Sequence, residues 1–271
     1  MKLGYYIKKL SLEEDPRISA LLGRFEEGGA RLYELGNASG IEPGTDMVLS
    51  FGGDGTFLSC ARIVSEAGIP ILGVNFGRMG FLSETNRDIS GPVLNGNYTI
   101  EERVMLKVDV QGGVPEDFWP YALNEACLHR SGPGMLGIEA SVGGEQLPTY
   151  WADGLLVATS SGSTAYSLSA GGPICLPDAD VLIISPIAPH NLNLRPLVVP
   201  GRSTIVMGTR VRETEAFLTL DNRSYIIPQG MSVTISEAPF RLKRVSIGKS
   251  NFIDALRSRL FWGQDVRNLP Q

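Results

Sequence analysis

The 271-residue chain is 43% hydrophobic and 20% charged, the balance of a folded globular protein. That excludes disorder and leaves length for one large domain or two modest ones. Lys plus Arg number 24 against 29 Asp plus Glu, a net charge of −5, which excludes a surface built for non-specific attraction to nucleic acid or an anionic membrane.

Along the first hundred residues, strand-like and helix-like segments alternate. Lys2 to Ile7 reads as a strand, and Asp15 to Leu35 places Ile18, Leu21, Leu22 and Phe25 at helical spacing. Asp46 to Phe51 is a short apolar run ending in glycines, the pattern of a buried parallel strand. Phe57, Leu58, Ala61 and Val64 mark a helix, and Pro70 to Val74 the next strand. This rhythm predicts an open, mostly parallel sheet with helices on its faces. Beyond about Ile100 the pattern changes to short β-type runs: 104–110, 122–128, 138–142, 155–159, 204–207, 216–220 and 231–236. A single helical candidate lies among them at 164–170. These runs predict a β-rich second domain. Phe252, Ile253, Leu256 and Leu260 return to helical spacing. The expected division is an α/β domain over 1–100, a β-rich domain over 101–245 and a tail over 246–271. The crevice between the domains is the default ligand site.

The cysteines, Cys60, Cys127 and Cys175, have no CxxC or zinc-ligand spacing, and the histidines are only His129 and His190. No signal-peptide pattern or run of 18 apolar residues is visible. A cytoplasmic, reducing location is therefore expected.

The strongest local signal is Phe51-Gly52-Gly53-Asp54-Gly55-Thr56, at the carboxyl end of an apolar strand and just before a helix. Glycines around one acid let a phosphate or ribose approach the backbone, and the following helix aims its N–H groups at an anion. A plain βα turn with Asp54 or Thr56 as N-cap is the alternative. Asn75 to Leu82 (NFGRMGFL) adds a loop with glycines, a base and aromatics. Asn124-Glu125 puts two polar side chains inside a strand-like run, where they would point to opposite faces. From Asp153 to Ile174 an apolar strand enters a hydroxyl-rich turn and a short helix closed by Gly171-Gly172-Pro173. Small hydroxyl residues there offer hydrogen bonds to sugar or phosphate without bulk.

Three other patterns carry less. Gly132 to Gly137 satisfies GxGxxG but precedes a strand-like run, so a hairpin loop is expected. Gly248-Lys249-Ser250 lacks the upstream glycine of a Walker motif. With no GxSxG and two histidines there is little material for a serine triad, and His190 reads as a loop or core residue.

Taken in order, GGDGT at 52–56, NFGRMGFL at 75–82, Asn124-Glu125, DGLLVATSSGSTAYSLSAGGPI at 153–174, SPIAPHNLNLRPLV at 185–198 and Leu220-Asp221 resemble the NAD kinase family. GGDGT by itself is shared with diacylglycerol and sphingosine kinase relatives. The resemblance implies a Rossmann-like N-terminal α/β domain, a β-sandwich-like C-terminal domain and a tail packing back on the first. It implies Mg²⁺-dependent transfer of the terminal phosphoryl of ATP, or of polyphosphate, to the adenosine 2′-hydroxyl of NAD by a homodimer or homotetramer.

Residue by residue, the resemblance gives Asp54 the catalytic role and has Gly55 expose backbone to the phosphates, with Gly53 and Thr56 beside them. Asn124 and Glu125 would bond the dinucleotide's ribose, and Asp153 the nicotinamide half. Thr164, Ala165, Tyr166, Ser167, Leu168 and Ser169 would form a strip around adenine and ribose, with Tyr166 as its aromatic wall. Ala188 and Asp221 would complete the pocket, and Phe81 would pack on a base. Where many members carry Arg, this chain has Trp151, and Arg223 is a candidate replacement charge. Two other functions compete: a lipid or small-molecule kinase sharing GGDGT, and an NAD(P) sensor in which Trp151 has abolished transfer. The first would need a basic amphipathic helix for membrane docking, which the sequence does not display.

Overall fold

The computed structural model describes the chain apart from residues 9–11, 13, 37–39, 78–79, 86–87, 211–214, 229, 249–251 and 264–271, with backbone alone at 84, 85 and 215. Two compact units form: residues 1–102 with 242–271, and residues 103–241.

In the first unit, β1 (Lys2–Ile7), β2 (Arg31–Glu34), β3 (Met47–Phe51), β4 (Ile71–Asn75) and β5 (Ser83–Thr85) make a parallel sheet in the order β2-β1-β3-β4-β5. β3 is buried along its whole length, as a strand covered on both faces must be. Helix α1 (Pro16–Glu27) starts at Asp15, whose carboxylate accepts the Arg17 N–H at 2.9 Å, and has Pro16 in its first turn. It buries Ile18, Leu21 and Phe25 against Leu3, Leu49 and Phe51. The helix expected to reach Leu35 ends at Gly28-Gly29 instead: Gly29 takes φ 82°, and the chain turns to lay Arg31–Glu34 beside β1. Helix α2 (Asp54–Val64) follows β3, and α3 (Ser90–Leu94) closes the sheet at Val93. The strand order reverses between β1 and β3, and GGDGT leaves the carboxyl end of β3, where open α/β sheets bind ligands.

The C-terminal helix (Phe252–Leu260) also belongs to this unit and buries Ala255 and Leu256. Its side chains reach the loop after β4: the Phe252 and Phe81 ring centroids are 5.8 Å apart. Of the tail, 249–251 and 264–271 lie outside the described residues, as do Arg78 and Met79 of the 75–82 motif and Lys249-Ser250 of the truncated Walker-like pattern.

The second unit is β-rich. Its strands are β6 (Thr99–Val110, entering from the first unit), β7 (Tyr121–Ala122), β8 (Glu125–Arg130), β9 (Leu136–Val142), β10 (Glu145–Gln146), β11 (Tyr150–Ala152) and β12 (Gly154–Thr159). They continue with β13 (Val181–Ile187), β14 (Leu197–Pro200), β15 (Ile205–Arg210), β16 (Glu215–Leu220), β17 (Arg223–Pro228) and β18 (Ser232–Ser246, which runs on into the first unit). One antiparallel sheet has the order β14-β13-β12-β8-β16-β17, and β9 and β15 pair with β10, β11 and β18 in another. Alternate residues of the two sheets meet in one core, among them Leu128, Leu155 and Leu218 from the first and Ile138, Ile205 and Val233 from the second.

Two expectations change here. Gly132–Gly137 is not a hairpin, because β8 and β9 pair in different sheets and the loop carries the chain across. The run expected as one strand over 122–128 is broken at Leu123-Asn124, where an acid described below holds the backbone out of the ladder.

Candidate active site

The sequence-predicted residues fall into two clusters, one in each unit. In the first, Gly53 occupies the helix cap with no side-chain cap, and Asp54 is the first helical residue. Neither Asp54 nor Thr56 caps α2. Thr56 is buried, its hydroxyl so close beneath Gly52 that a Cβ there would lie 2.3 Å away. The Asp54 carboxylate turns toward the loop after β4. Oδ2 accepts the Phe81 N–H at 3.1 Å, and Oδ1 accepts the Leu82 N–H at 3.2 Å and the Ser83 hydroxyl at 3.4 Å.

Arg259 of the C-terminal helix adds a charged hydrogen bond from Nη1 to Oδ2 at 3.1 Å. Its guanidinium also lies 4.7 Å from the Phe81 ring centroid. Behind the loop, the buried Arg244 donates from Nε to the Leu82 carbonyl at 3.1 Å and pairs with Glu101 at 2.8 Å. Gly80 is required by this cradle, since a Cβ there would sit 2.1 Å from Asp54 Oδ1. At Gly55, by contrast, an added Cβ meets nothing within 4 Å. The missing side chain at Gly55 thus serves no internal packing and leaves helix backbone open to a ligand.

In the second unit, the turn between β16 and β17 carries Asp221 at φ 53°. Its buried carboxylate accepts three backbone N–H groups: Leu123 at 2.9 Å, Asn124 at 2.7 Å and Glu125 at 3.3 Å. The Asp221 N–H donates back to the Glu125 carbonyl at 2.9 Å. From the other side the Thr159 hydroxyl donates to the Leu123 carbonyl at 2.6 Å, and its N–H to the Asn124 carbonyl at 2.9 Å. Gly162 packs so tightly on Asn124 that a Cβ would lie 2.1 Å from that carbonyl. The backbone of Asn124-Glu125 is therefore rigid.

Glu125 is 7% exposed, and its Oε2 is buried without a hydrogen-bond partner. Burial first, and then the neighbouring Asp221 charge, push its pKa up to about 8, against a bond from the Tyr166 N–H. Near neutral pH this carboxyl holds its proton, which makes it a donor as well as an acceptor. Asp221 is also pushed up by burial, opposed by its three N–H partners and Arg223.

The hydroxyl-rich segment is a 3₁₀ turn (Ser161–Thr164) and a helical turn (Tyr166–Ser169). Several of its hydroxyls serve the fold. Ser160 donates to the Pro177 carbonyl, Ser163 donates to the Cys175 carbonyl and accepts the Cys175 N–H, and Ser167 meets Ser185 at 3.3 Å. Thr164 donates to the Ser161 carbonyl at 3.3 Å, and Ala165 and Leu168 are half-buried. The Ser161 hydroxyl is buried without a partner, while Tyr166 is 44% exposed and Ser169 is exposed.

Beside Tyr166 lies a cavity of about 360 Å³ lined by His129, Arg130, Asp153, Tyr166 and Ile187, among others. Asp153 there pairs with Arg130 at 2.7 Å. Ala188, at φ 44°, follows Ile187, and the chain returns to β11 through a bond from the His190 N–H to the Trp151 carbonyl at 2.9 Å. Trp151 is 40% exposed and covers Gly137 of β9, where a Cβ would lie 2.8 Å from its ring. The Arg223 guanidinium is committed to the carbonyls of Trp119 and Tyr121 and stacks 4.7 Å from the Trp119 centroid. It clamps residues 119–121 rather than reaching out as a replacement for an arginine at 151.

Residues 35–96 match the ATP-NAD kinase N-terminal domain and residues 123–247 the ATP-NAD kinase C-terminal domain. An NAD kinase of Flavobacterium psychrophilum is 40% identical over 234 residues, covering 84% of this chain and 80% of that one. The chain belongs to the NAD kinase family. An NAD kinase of Porphyromonas gingivalis is 36% identical across 98% of this chain and 99% of its own. Among solved structures, an Archaeoglobus fulgidus NAD kinase in complex with ATP matches at a TM-score of 0.75 and 26% identity, covering 94% of this chain and 97% of that chain. A yeast NADH kinase complexed with NADH matches at 0.85 and 20% identity, over 100% and 90%, and shares the fold. Both motifs, GGDGT and the Asn-Glu pair, lie within the matched regions and sit on the rigid scaffolds just described. Arg259, Arg244, Gly80, Ser83 and Thr159 build those scaffolds and were not singled out by the sequence. Of these, Gly80, as the second glycine of the 75–82 motif, and Thr159, within the 153–174 stretch, lay in motifs the sequence marked.

Proposed function

We propose that the chain transfers the terminal phosphoryl group of ATP to the adenosine 2′-hydroxyl of NAD, forming NADP and ADP. The observation that carries this reading is Asp54: a carboxylate at a helix N-terminus, fixed by two backbone N–H groups and flanked by a glycine that opens on space. Asp54 takes the hydroxyl proton, the freed oxygen forms a bond to the terminal phosphorus, and the bond to ADP breaks with its electron pair leaving on ADP. The proton then passes from Asp54 to solvent. Phosphoryl transfer asks mainly for positioning and charge stabilisation, which the helix start and its glycines are built to give.

The dinucleotide is assigned to the second unit. Asn124 and the protonated Glu125 bond the ribose, and Tyr166 with Ala165 and Leu168 borders the adenine. Asp153 faces the nicotinamide half in the 360 Å³ cavity, and Ala188, which follows the cavity residue Ile187, completes the pocket with Asp221. That volume is near the lower end of the range for small-molecule sites, about 300–1,000 Å³.

Among the described residues no three His, Cys, Asp or Glu side chains gather to hold a metal ion. The Asp54 oxygens already face four donors, so this donor set does not fit a resident metal. The proposed Mg²⁺ belongs to the substrate, entering on the phosphates of ATP. No helix among the described residues is long and apolar enough to cross a membrane. We place the enzyme in the cytoplasm as a homodimer or homotetramer, a state supported by the exposed Leu197 and Val198 on edge strand β14.

The test is NADP formation from NAD, ATP and Mg²⁺, read with an NADP-specific dehydrogenase, with polyphosphate as donor in parallel. Product with ATP is expected. NAD binding with no product from either donor contradicts the reading, and phosphorylation of a sphingoid base or diacylglycerol with NAD inert would replace it.

A further inference from the structure

The Asp54 carboxylate, taken as the base of the proposed reaction, faces four donors. They are the Phe81 and Leu82 N–H groups, the Ser83 hydroxyl and the Arg259 guanidinium, at 3.1, 3.2, 3.4 and 3.1 Å. An ionised carboxylate offers about four lone-pair sites, so no site is left to accept a proton from a substrate hydroxyl. One donor must leave before Asp54 can act. The Phe81 and Leu82 N–H groups are fixed in a loop held from behind by Arg244. The Ser83 hydroxyl is buried and serves Oδ1. Arg259 remains: its side chain is 29% exposed against 26% for Asp54, and it comes from a separate helix on a long rotatable stem. The link to Oδ2 runs from Nη1 at 3.1 Å between two half-buried side chains, so an anion of greater charge that reaches the site can compete for the guanidinium.

The structure also supplies a place for it to pivot. The guanidinium stacks on Phe81, whose ring is tied to the same helix through Phe252. A rotation that releases Oδ2 can keep the stacking contact. The anion that would arrive here is a phosphate: α2 starts at Asp54 itself, with Gly53 as its cap and Gly55 in its first turn, where an added Cβ would meet nothing within 4 Å. A guanidinium fork matches phosphate as well as carboxylate, and a polyphosphate carries more charge than Asp54.

We infer that Arg259 is a donor-coupled positioning residue, which covers Asp54 Oδ2 in the absence of donor and moves onto the donor's phosphates when they bind, freeing the base and neutralising charge on the transferring group. The inference rests on the reading of Asp54 as base. It assigns the C-terminal helix a part in the reaction and makes availability of the base depend on the phosphoryl donor rather than on NAD.

The experiment is steady-state kinetics on Arg259→Ala, Arg259→Gln and Arg259→Lys, with Arg257→Ala and Asp54→Asn alongside. Arg257 lies on the same helix, 65% exposed, and pairs with Asp254 at 3.9 Å, so it controls for damage to the helix. The Ala and Gln variants are expected to raise KM for ATP about tenfold or more and to lower kcat, with KM for NAD within twofold and the thermal melt unchanged. The Lys variant, which keeps the charge but not the fork, is expected to recover part of the loss, and Arg257→Ala to match the parent. Equal losses for ATP and NAD, no loss at all, or a rise in kcat with KM for ATP unchanged would overturn the inference. Near-normal turnover by Asp54→Asn would instead remove the base reading on which it stands, and the two failures are distinguishable.

Discussion

Asp54 and Glu125 are both carboxylic acids on rigid backbone, and their surroundings make them opposites. Asp54 is open to solvent on one side, faces a guanidinium and sits at the positive end of a helix. Glu125 is buried beside a second acid, with one oxygen unpartnered. Position alone separates a half-buried carboxylate paired with a guanidinium at a helix start from one that keeps its proton as a neutral hydrogen-bonding arm. Asp221 is a third case, an acid used as a brace whose lone pairs go to three backbone N–H groups.

The sharpest way to break this contrast is to remove the brace. Asp221→Ala strands three buried N–H donors, each costing about 1–3 kcal/mol if water does not replace the carboxylate. The variant is expected to lose at least about 3 kcal/mol of stability and most of its NAD affinity, while Asp54 in the other unit is untouched. Thermal unfolding with NAD titration checks this, and a parent-like melt would mean that the brace is not needed.

A smaller effect follows from the proton on Glu125. Its folded pKa of about 8 lies above the ordinary value of 4.5, so the native state binds that proton more tightly than the unfolded chain. The resulting stability is fully present below pH 4.5 and is lost as the pH rises through 8. Glu125→Gln keeps a neutral side chain at every pH. Its melting temperature is therefore expected to gain on the parent's by several degrees between pH 5 and pH 9, and parallel curves would contradict the assignment.

The smallest effect has two signs. Gly55→Ala adds a methyl group that meets nothing within the protein and removes a helix glycine, which is worth about 0.5–1 kcal/mol. The variant is expected to melt slightly higher yet to show a KM for ATP raised several-fold. A stabilised variant with unchanged KM would mean that no ligand approaches that backbone.

What the sequence made legible was contiguous chemistry. GGDGT, Asn124-Glu125 and the stretch from Asp153 to Ile174 could be found because their residues are neighbours in the chain, and the change from βα alternation to short β runs marked the two kinds of architecture. What stayed hidden was long-range. Arg259 reaches Asp54 across 205 positions, and the periodicity of its helix reports only the buried stripe, not what its polar edge touches. Asn124 read as strand because the apolar run around it is continuous; the bonds that pull it out of the ladder come from Asp221, 97 residues away. Hydroxyls at Ser160, Ser163 and Ser167 looked available for a ligand because sequence cannot show that their partners are carbonyls and a serine of the same unit.

The central claim is that the first cluster performs the chemistry and the second holds the dinucleotide. Asp54→Asn, assayed for NADP formation and for NAD binding by calorimetry on the same preparation, tests it most directly. The account predicts turnover reduced by about 10² or more, a common scale for loss of a general base, with the dissociation constant for NAD within a few-fold of the parent. Near-normal turnover, or loss of NAD binding equal to the loss of turnover, would contradict it.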